Sequence, residues 1–279
     1  MQTVASADGT EIAYETHGTE SADDAHDAGG EKPPLVLVHG GGTRRYWDPV
    51  VPHLVDDYRV FVPDRRGRGD SGDHEAYSLR KEIEDTVAVV EAVDGEPALY
   101  GHSYGGLRAI ETAREVSVAA VVAYEPAVLV GDYREESDLA DQMAAKLDDG
   151  DPEGAMRLHL REVLHGDDVS DEAFEAWLEE WPAWPEYAGF VENTLRMNRA
   201  VEEYRLPESL DVAAPALLLT GSEGSQHLRD SVRAVDEALT DSRLVEFDGV
   251  GHNGPVAAAD RVTATVREFL AERLSPQTA

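Results

Sequence analysis

The sequence predicts an α/β fold: a mostly parallel, eight-stranded sheet with helices on both faces and a helical segment inserted before the last two strands. Three observations carry the prediction. Short continuous apolar runs such as Leu35-Val36-Leu37-Val38 read as strands covered on both faces. These runs alternate with helical stretches, the pattern of a parallel sheet. Between about 128 and 207 the alternation stops and only helix-like sequence remains. A chain of 279 residues suits one large domain with a subdomain inserted in it. The expected division is a core of residues 1–127 and 208–279 and a helical cap of 128–207.

Taken in order, Asp8-Gly9-Thr10 reads as a hairpin turn, with an alternating strand at 11–16 after it. Residues 19–32 are acidic, Gly/Ala-rich and without large apolar side chains, so they read as a solvated, mobile surface loop. The strand at 35–38 empties into His39-Gly40-Gly41-Gly42. A helix is expected over 46–54. The strand at 59–62 then ends at Pro63 and delivers Asp64-Arg65-Arg66-Gly67-Arg68-Gly69-Asp70-Ser71. Residues 78–93 read as a helix with Ser78 as N-cap. After it come a strand ending in Gly101, a helix from Leu107 and a strand at 118–124. The inserted segment divides into helices at 138–147, 152–164, 171–181 and 188–204. Trp177, Trp181, Trp184, Tyr187 and Phe190 give it an aromatic group suited either to a pocket or to the packing of the segment itself. The sheet pattern resumes at 216–219, with a helix at 228–239, a strand at 244–247 and a last helix at 257–274.

Composition narrows the function classes. Acidic residues number 57 against 24 basic ones, a formal charge of −33, and lysine occurs only at Lys32, Lys81 and Lys146. Such a field repels nucleic acid and anionic lipid, so neither is an expected partner. It fits a salt-saturated cytoplasm, hence a halophile, because at about 1 M salt the Debye length falls to about 3 Å and self-repulsion is screened. With no cysteine, disulfides, thiolate metal sites and a cysteine nucleophile are excluded. No signal peptide or membrane-length apolar run is visible, so a cytoplasmic location is expected.

The chemistry centres on Gly101-His102-Ser103-Tyr104-Gly105, a G-x-S-x-G match lying between a strand and a helix. That context makes it a nucleophile elbow. Ser103 stands at the tip of a strained turn, and the glycines remove Cβ atoms that would clash there. A serine hydroxyl needs a base, and the base needs a third group to hold its tautomer. His252, in the glycine-rich loop Gly249-Val250-Gly251-His252-Asn253-Gly254, is the candidate base. His102 is expected to point away from Ser103 and His39 to pack. His17, His26, His53, His74, His159, His165 and His227 have no motif around them. The oxyanion hole needs two N–H groups aimed at one point: Tyr104, and Gly41 from the turn after Val38. Two places compete for the acid. Glu125 follows an apolar strand that Pro126 stops, and register favours it; Glu223, or Asp230 further on, lies after the strand at 216–219.

With these residues in view, the chain resembles the α/β-hydrolases, of the capped kind typified by small esterases, lactonases and carbon–carbon bond hydrolases. The D-G-T hairpin, VLVHGG, DRRGRGDS, GHSYGG, LLLTGS and GVGHN follow in order over nearly the whole length. The resemblance implies a Ser/acid/His triad, an oxyanion hole and no cofactor. Family members usually carry an aspartate three residues beyond the glycine that ends the strand at 216–220, and here that place is Gly224. Some relatives, certain haloalkane dehalogenases among them, move the acid to the end of the strand before the cap, where this chain has Glu125. A serine nucleophile departs from the aspartate of dehalogenases and epoxide hydrolases. The expected function is hydrolysis of a small ester or lactone, with a small-molecule substrate as partner and the oligomeric state open, a homodimer included. The alternatives are a carbon–carbon bond hydrolase, for which Arg196 or Arg199 would meet a substrate carboxylate, and a hydrolase-fold ligand-binding protein without turnover.

Overall fold

The computed structural model describes residues 1–18, 32–165 and 169–274. Eight strands form one sheet in the order β1-β2-β4-β3-β5-β6-β7-β8. β1 (Gln2–Ala5) and β2 (Glu11–His17) make the expected hairpin, and β2 also pairs antiparallel with β4 (Arg59–Pro63). All remaining pairings are parallel: β3 (Pro34–Val38) with β4 and β5 (Ala98–His102), then β6 (Ala120–Tyr124), β7 (Ala216–Gly221) and β8 (Ser242–Phe247). The acidic segment 19–32 falls outside the described residues, except for Lys32.

Period-two alternation splits the central strands between two cores. Val36, Val38, Leu99, Val121 and Leu218 face one side, against α1 (Leu79–Ala92), α2 (Tyr104–Ala113) and α9 (Gln226–Ala238). Leu35, Leu37, Tyr100, Val122 and Leu219 face the other, against Trp47 and α11 (Ala259–Leu274). Ser78 caps α1, its side chain accepting from the Lys81 N–H at 3.3 Å.

Among the described residues, six α-helices lie between β6 and β7: α3 (Gly131–Glu136), α4 (Leu139–Asp148), α5 (Pro152–Leu160), α6 (Asp171–Glu180), α7 (Trp184–Ala188) and α8 (Val191–Glu203). Sequence reasoning finds four and misses the short α3 and α7. It also places one helix over 46–54, where the chain forms two 3₁₀ turns, Arg44–Trp47 and Val51–His53. Pro49 and Pro52 lack the N–H groups that a continuous α-helix needs there. The helix expected over 152–164 stops at Leu160 and continues as a wider π turn, Arg161–His165. The last helix is preceded by a separate short turn of helix, α10 (Gly254–Ala257). Among the described residues no helix is long and apolar enough to cross a membrane.

Candidate active site

Parallel strands deliver their C-terminal ends to one edge of the sheet, and the predicted site residues collect there. Ser103 follows β5 and Glu125 follows β6. These are the two non-glycine residues with positive φ among those described, at 56° and 42°. Such backbone is strained for residues with a Cβ. At the Ser103 turn the sequence accommodates the bend through glycine. A Cβ on Gly101 would run into the Gly105 carbonyl, and one on Gly105 into the Val38 carbonyl.

His252 lies in the loop after β8, 5% exposed, with Nδ1 2.6 Å from Glu125 Oε2. The other carboxylate oxygen accepts from the Thr220 hydroxyl at 2.8 Å and the Gly221 N–H at 3.1 Å. Burial works to raise the Glu125 pKa, but the His252 ring and these two donors outweigh it and hold the group below the usual carboxylate range. Gly224 makes room for this carboxylate, since a Cβ at 224 would collide with Glu125 Oε1. Among the described residues neither competing acid is bonded to His252. Glu223 is exposed, and Asp230 is engaged by Gln226 and Arg233.

Two side chains that sequence reasoning leaves aside hold the His252 loop. His102 Nε2 donates to the His252 carbonyl at 2.9 Å, and the Tyr124 hydroxyl donates to the Gly251 carbonyl at 2.7 Å. Each immediately precedes a candidate site residue, and the two are paired across β5 and β6. Strand alternation could have found them: a residue before a strand-end functional group faces the opposite side of the sheet, where the loop after β8 packs. Burial, with the nearby His252, pushes the His102 imidazole well below its ordinary pKa, so it stays a neutral donor. His39 is buried as expected, and its Nε2 accepts from the Arg65 N–H at 3.1 Å.

Tyr104 opens α2, so its N–H has no intrahelical acceptor. Gly40 presses on Ser103; a Cβ there would sit 3.4 Å from Ser103 Oγ. Behind this turn stand two buried arginines. Arg65 donates to the Gly40 carbonyl at 2.8 Å and is itself held by Glu82 and Tyr77. Arg68 donates to the Gly41 carbonyl, to Asn193 Oδ1 at 2.7 Å and to the Thr194 hydroxyl at 2.8 Å, with Phe190 under its guanidinium. It thereby ties the glycine turn to α8. Burial, aided by the charge of Arg65, pushes Arg68 down to about 9.

Ser103, His252 and Tyr104 open onto a cavity of about 550 Å³. Its walls come from the strand-end loops and from the helices between β6 and β7, and they include Trp177, Trp181, Tyr187 and Phe190. Trp184 does not line the cavity but lies under Arg157. Neither Arg196 nor Arg199 lines it; Arg196 instead binds Asp73 and the His74 carbonyl. Among the described residues no cluster of His, Asp or Glu is arranged to hold a metal ion.

Comparison with known proteins agrees with this architecture. The family model described as "Alpha/beta hydrolase family" matches residues 35–265. The chain is 28% identical over 264 residues to BpoC of Mycobacterium tuberculosis, which bears the name of a non-heme bromoperoxidase; the match covers 88% of this chain and 97% of that protein. An alpha/beta hydrolase from Sphaerobacter thermophilus superposes with a TM-score of 0.75 at 27% identity, over 94% of this chain and all of that one. The enol-lactonase from Burkholderia xenovorans superposes with a TM-score of 0.73, over 97% of this chain and 100% of its own, and at 21% identity that likeness is one of fold.

Proposed function

The chain belongs to the alpha/beta hydrolase family, and within it we propose that it hydrolyses a small ester or lactone through an acyl-enzyme intermediate. The observation that carries the reading is the 2.6 Å contact of Glu125 with His252 Nδ1, on a histidine that shares a cavity with the strained Ser103. An ionised Glu125 accepts from Nδ1–H and leaves the Nε2 lone pair free to act as a base.

Ser103 Oγ attacks the substrate carbonyl while its proton passes to His252 Nε2. The tetrahedral oxyanion is met by the N–H groups of Tyr104 and Gly41. Collapse breaks the bond to the alcohol oxygen, which takes the proton from His252; in a lactone this oxygen stays tethered to the acyl chain. Water then attacks the acyl-enzyme with His252 again as base, releasing the acid and restoring Ser103. Residues 128–207 act as the cap, and the apolar, aromatic lining of the cavity suits a substrate with apolar parts. The test is labelling by a fluorophosphonate together with turnover of p-nitrophenyl esters. Wild type should label and turn over, and Ser103→Ala should do neither. A protein that takes up no label and cleaves no ester is a binding module.

A further inference from the structure

One polar side chain in the mostly apolar cavity has no part in the chemistry above. His159 lies near the end of α5, 3% exposed, and lines the cavity beside Leu160. The π turn that follows brings Val163 and Leu164 to the same wall, and such helix defects recur at functional sites. His159 Nδ1 is 3.0 Å from Asn198 Nδ2 on α8, and that same amide nitrogen is 3.0 Å from Met143 Sδ on α4. A thioether cannot donate, so the Asn198 atom facing it is the NH₂ group. Asn198 therefore donates to Nδ1, and the ring carries its hydrogen on Nε2.

Nε2 has no hydrogen-bond partner among the described residues, and it is not one of the buried polar atoms sealed off from the surface. The cavity is the space left to it. A buried donor must be met by an acceptor, and among the described residues no wall residue bonds this one. Burial, with Arg68 and His252 nearby, pushes the ring down to about 3, so the donor is uncharged.

We propose that His159 determines specificity, its Nε2–H donating to a neutral oxygen acceptor that the substrate carries some bonds away from the scissile carbonyl, such as a ketone or ether oxygen. The proposal rests on the ester or lactone reading and narrows it to bifunctional substrates. A neutral ring gives a carboxylate no counter-charge, whereas an uncharged oxygen asks for none.

The test compares matched esters in which one methylene is replaced by a ketone. The pairs are p-nitrophenyl hexanoate with its 4-oxo and 5-oxo analogues, and hexyl butyrate with butyrates of the corresponding oxo-alcohols. In at least one pair the oxo ester should be preferred in kcat/KM by about tenfold or more. His159→Phe should bring that ratio towards one, and His159→Gln, which retains an N–H, should keep part of it. Binding of the same pairs to Ser103→Ala, followed by the fluorescence of Trp177 and Trp181, should show the same preference independently of turnover. No oxo preference in wild type in either measurement, or one that survives in His159→Phe, overturns the proposal. Absence of turnover and of fluorophosphonate labelling sinks the hydrolase reading instead, and the fluorescence titration then still decides the role of His159.

Discussion

Arg65 and Gly41 are linked through a single peptide plane: the Arg65 guanidinium donates to the Gly40 carbonyl at 2.8 Å, and that carbonyl and the Gly41 N–H belong to one rigid unit. Whatever fixes the carbonyl also aims the N–H, on the opposite side. Arg65 is fully buried and shares Glu82 with Arg108, so the clamp is anchored in the core.

Arg65→Lys should therefore act on the chemical step. The lysine keeps a charge beside Glu82 but loses the fork that reaches both Glu82 and Gly40. On the proposed role of the Gly41 N–H as an oxyanion donor, misaiming it should lower kcat for an activated ester by about 10- to 100-fold with KM little changed. Steady-state kinetics check this; an unaltered kcat would show that the clamp does not set the donor.

Glu125→Gln should lower kcat by about 10³- to 10⁴-fold, because the amide favours the wrong tautomer of His252. Glu223→Gln should stay within about twofold, its side chain being exposed and, among the described residues, not bonded to His252. The closeness of Gly224 to the Glu125 carboxylate supplies a stricter check. Gly224→Asp alone should collide with that carboxylate and impair the enzyme. Combined with Glu125→Ala, it should regain at least about tenfold over Glu125→Ala, since the new carboxylate enters the vacated space.

Stability should fall on acidification from neutrality, with a definite sign. Burial holds His39, His102 and His159 below their ordinary pKa, so below about pH 6.5 the unfolded chain binds protons that the native one refuses. Their contribution is present above that pH and is lost as pH falls, by up to about 1.4 kcal/mol per histidine per pH unit. Glu125, held low, adds a loss only further down, as pH drops below the ordinary carboxylate range. Denaturant midpoints at 3 M salt between pH 7 and 5, where screening mutes the −33 charge, should show this slope, and His159→Phe should flatten it by about one proton. A flat profile would contradict the assignment.

The same charge should make salt a stabiliser. Circular dichroism should report a native fold at molar salt and progressive loss of structure on dialysis into dilute buffer. A fold intact at low ionic strength would count against a halophilic origin.

What could be read beforehand follows from the range of the forces involved. Strands 35–38 and 98–102 announce themselves because both faces are buried, and the Ser103 turn because its glycines are local necessities. The place of Glu125 follows from strand register and Pro126. The 3₁₀ turns near Pro49 and Pro52 are open to inference from proline chemistry, which a smooth 46–54 helix ignores. Other features are tertiary and leave no local trace. The Arg65 clamp spans 25 residues to Gly40, the His102 bond spans 150 to His252, and Asn198 reaches 39 residues to His159. A histidine with no motif around it can be recognised only once the wall it belongs to is assembled.

The unusual dihedrals at position 103 leave a thermodynamic signature that chemistry alone would not foresee. Alanine there removes the hydroxyl but keeps the awkward torsion, whereas glycine removes both. Both substitutions should be inert towards esters, yet the glycine protein should be more stable to unfolding than the alanine one, by on the order of 1 kcal/mol. Reactivity at this turn and robustness of the chain are in that sense rivals for the same backbone.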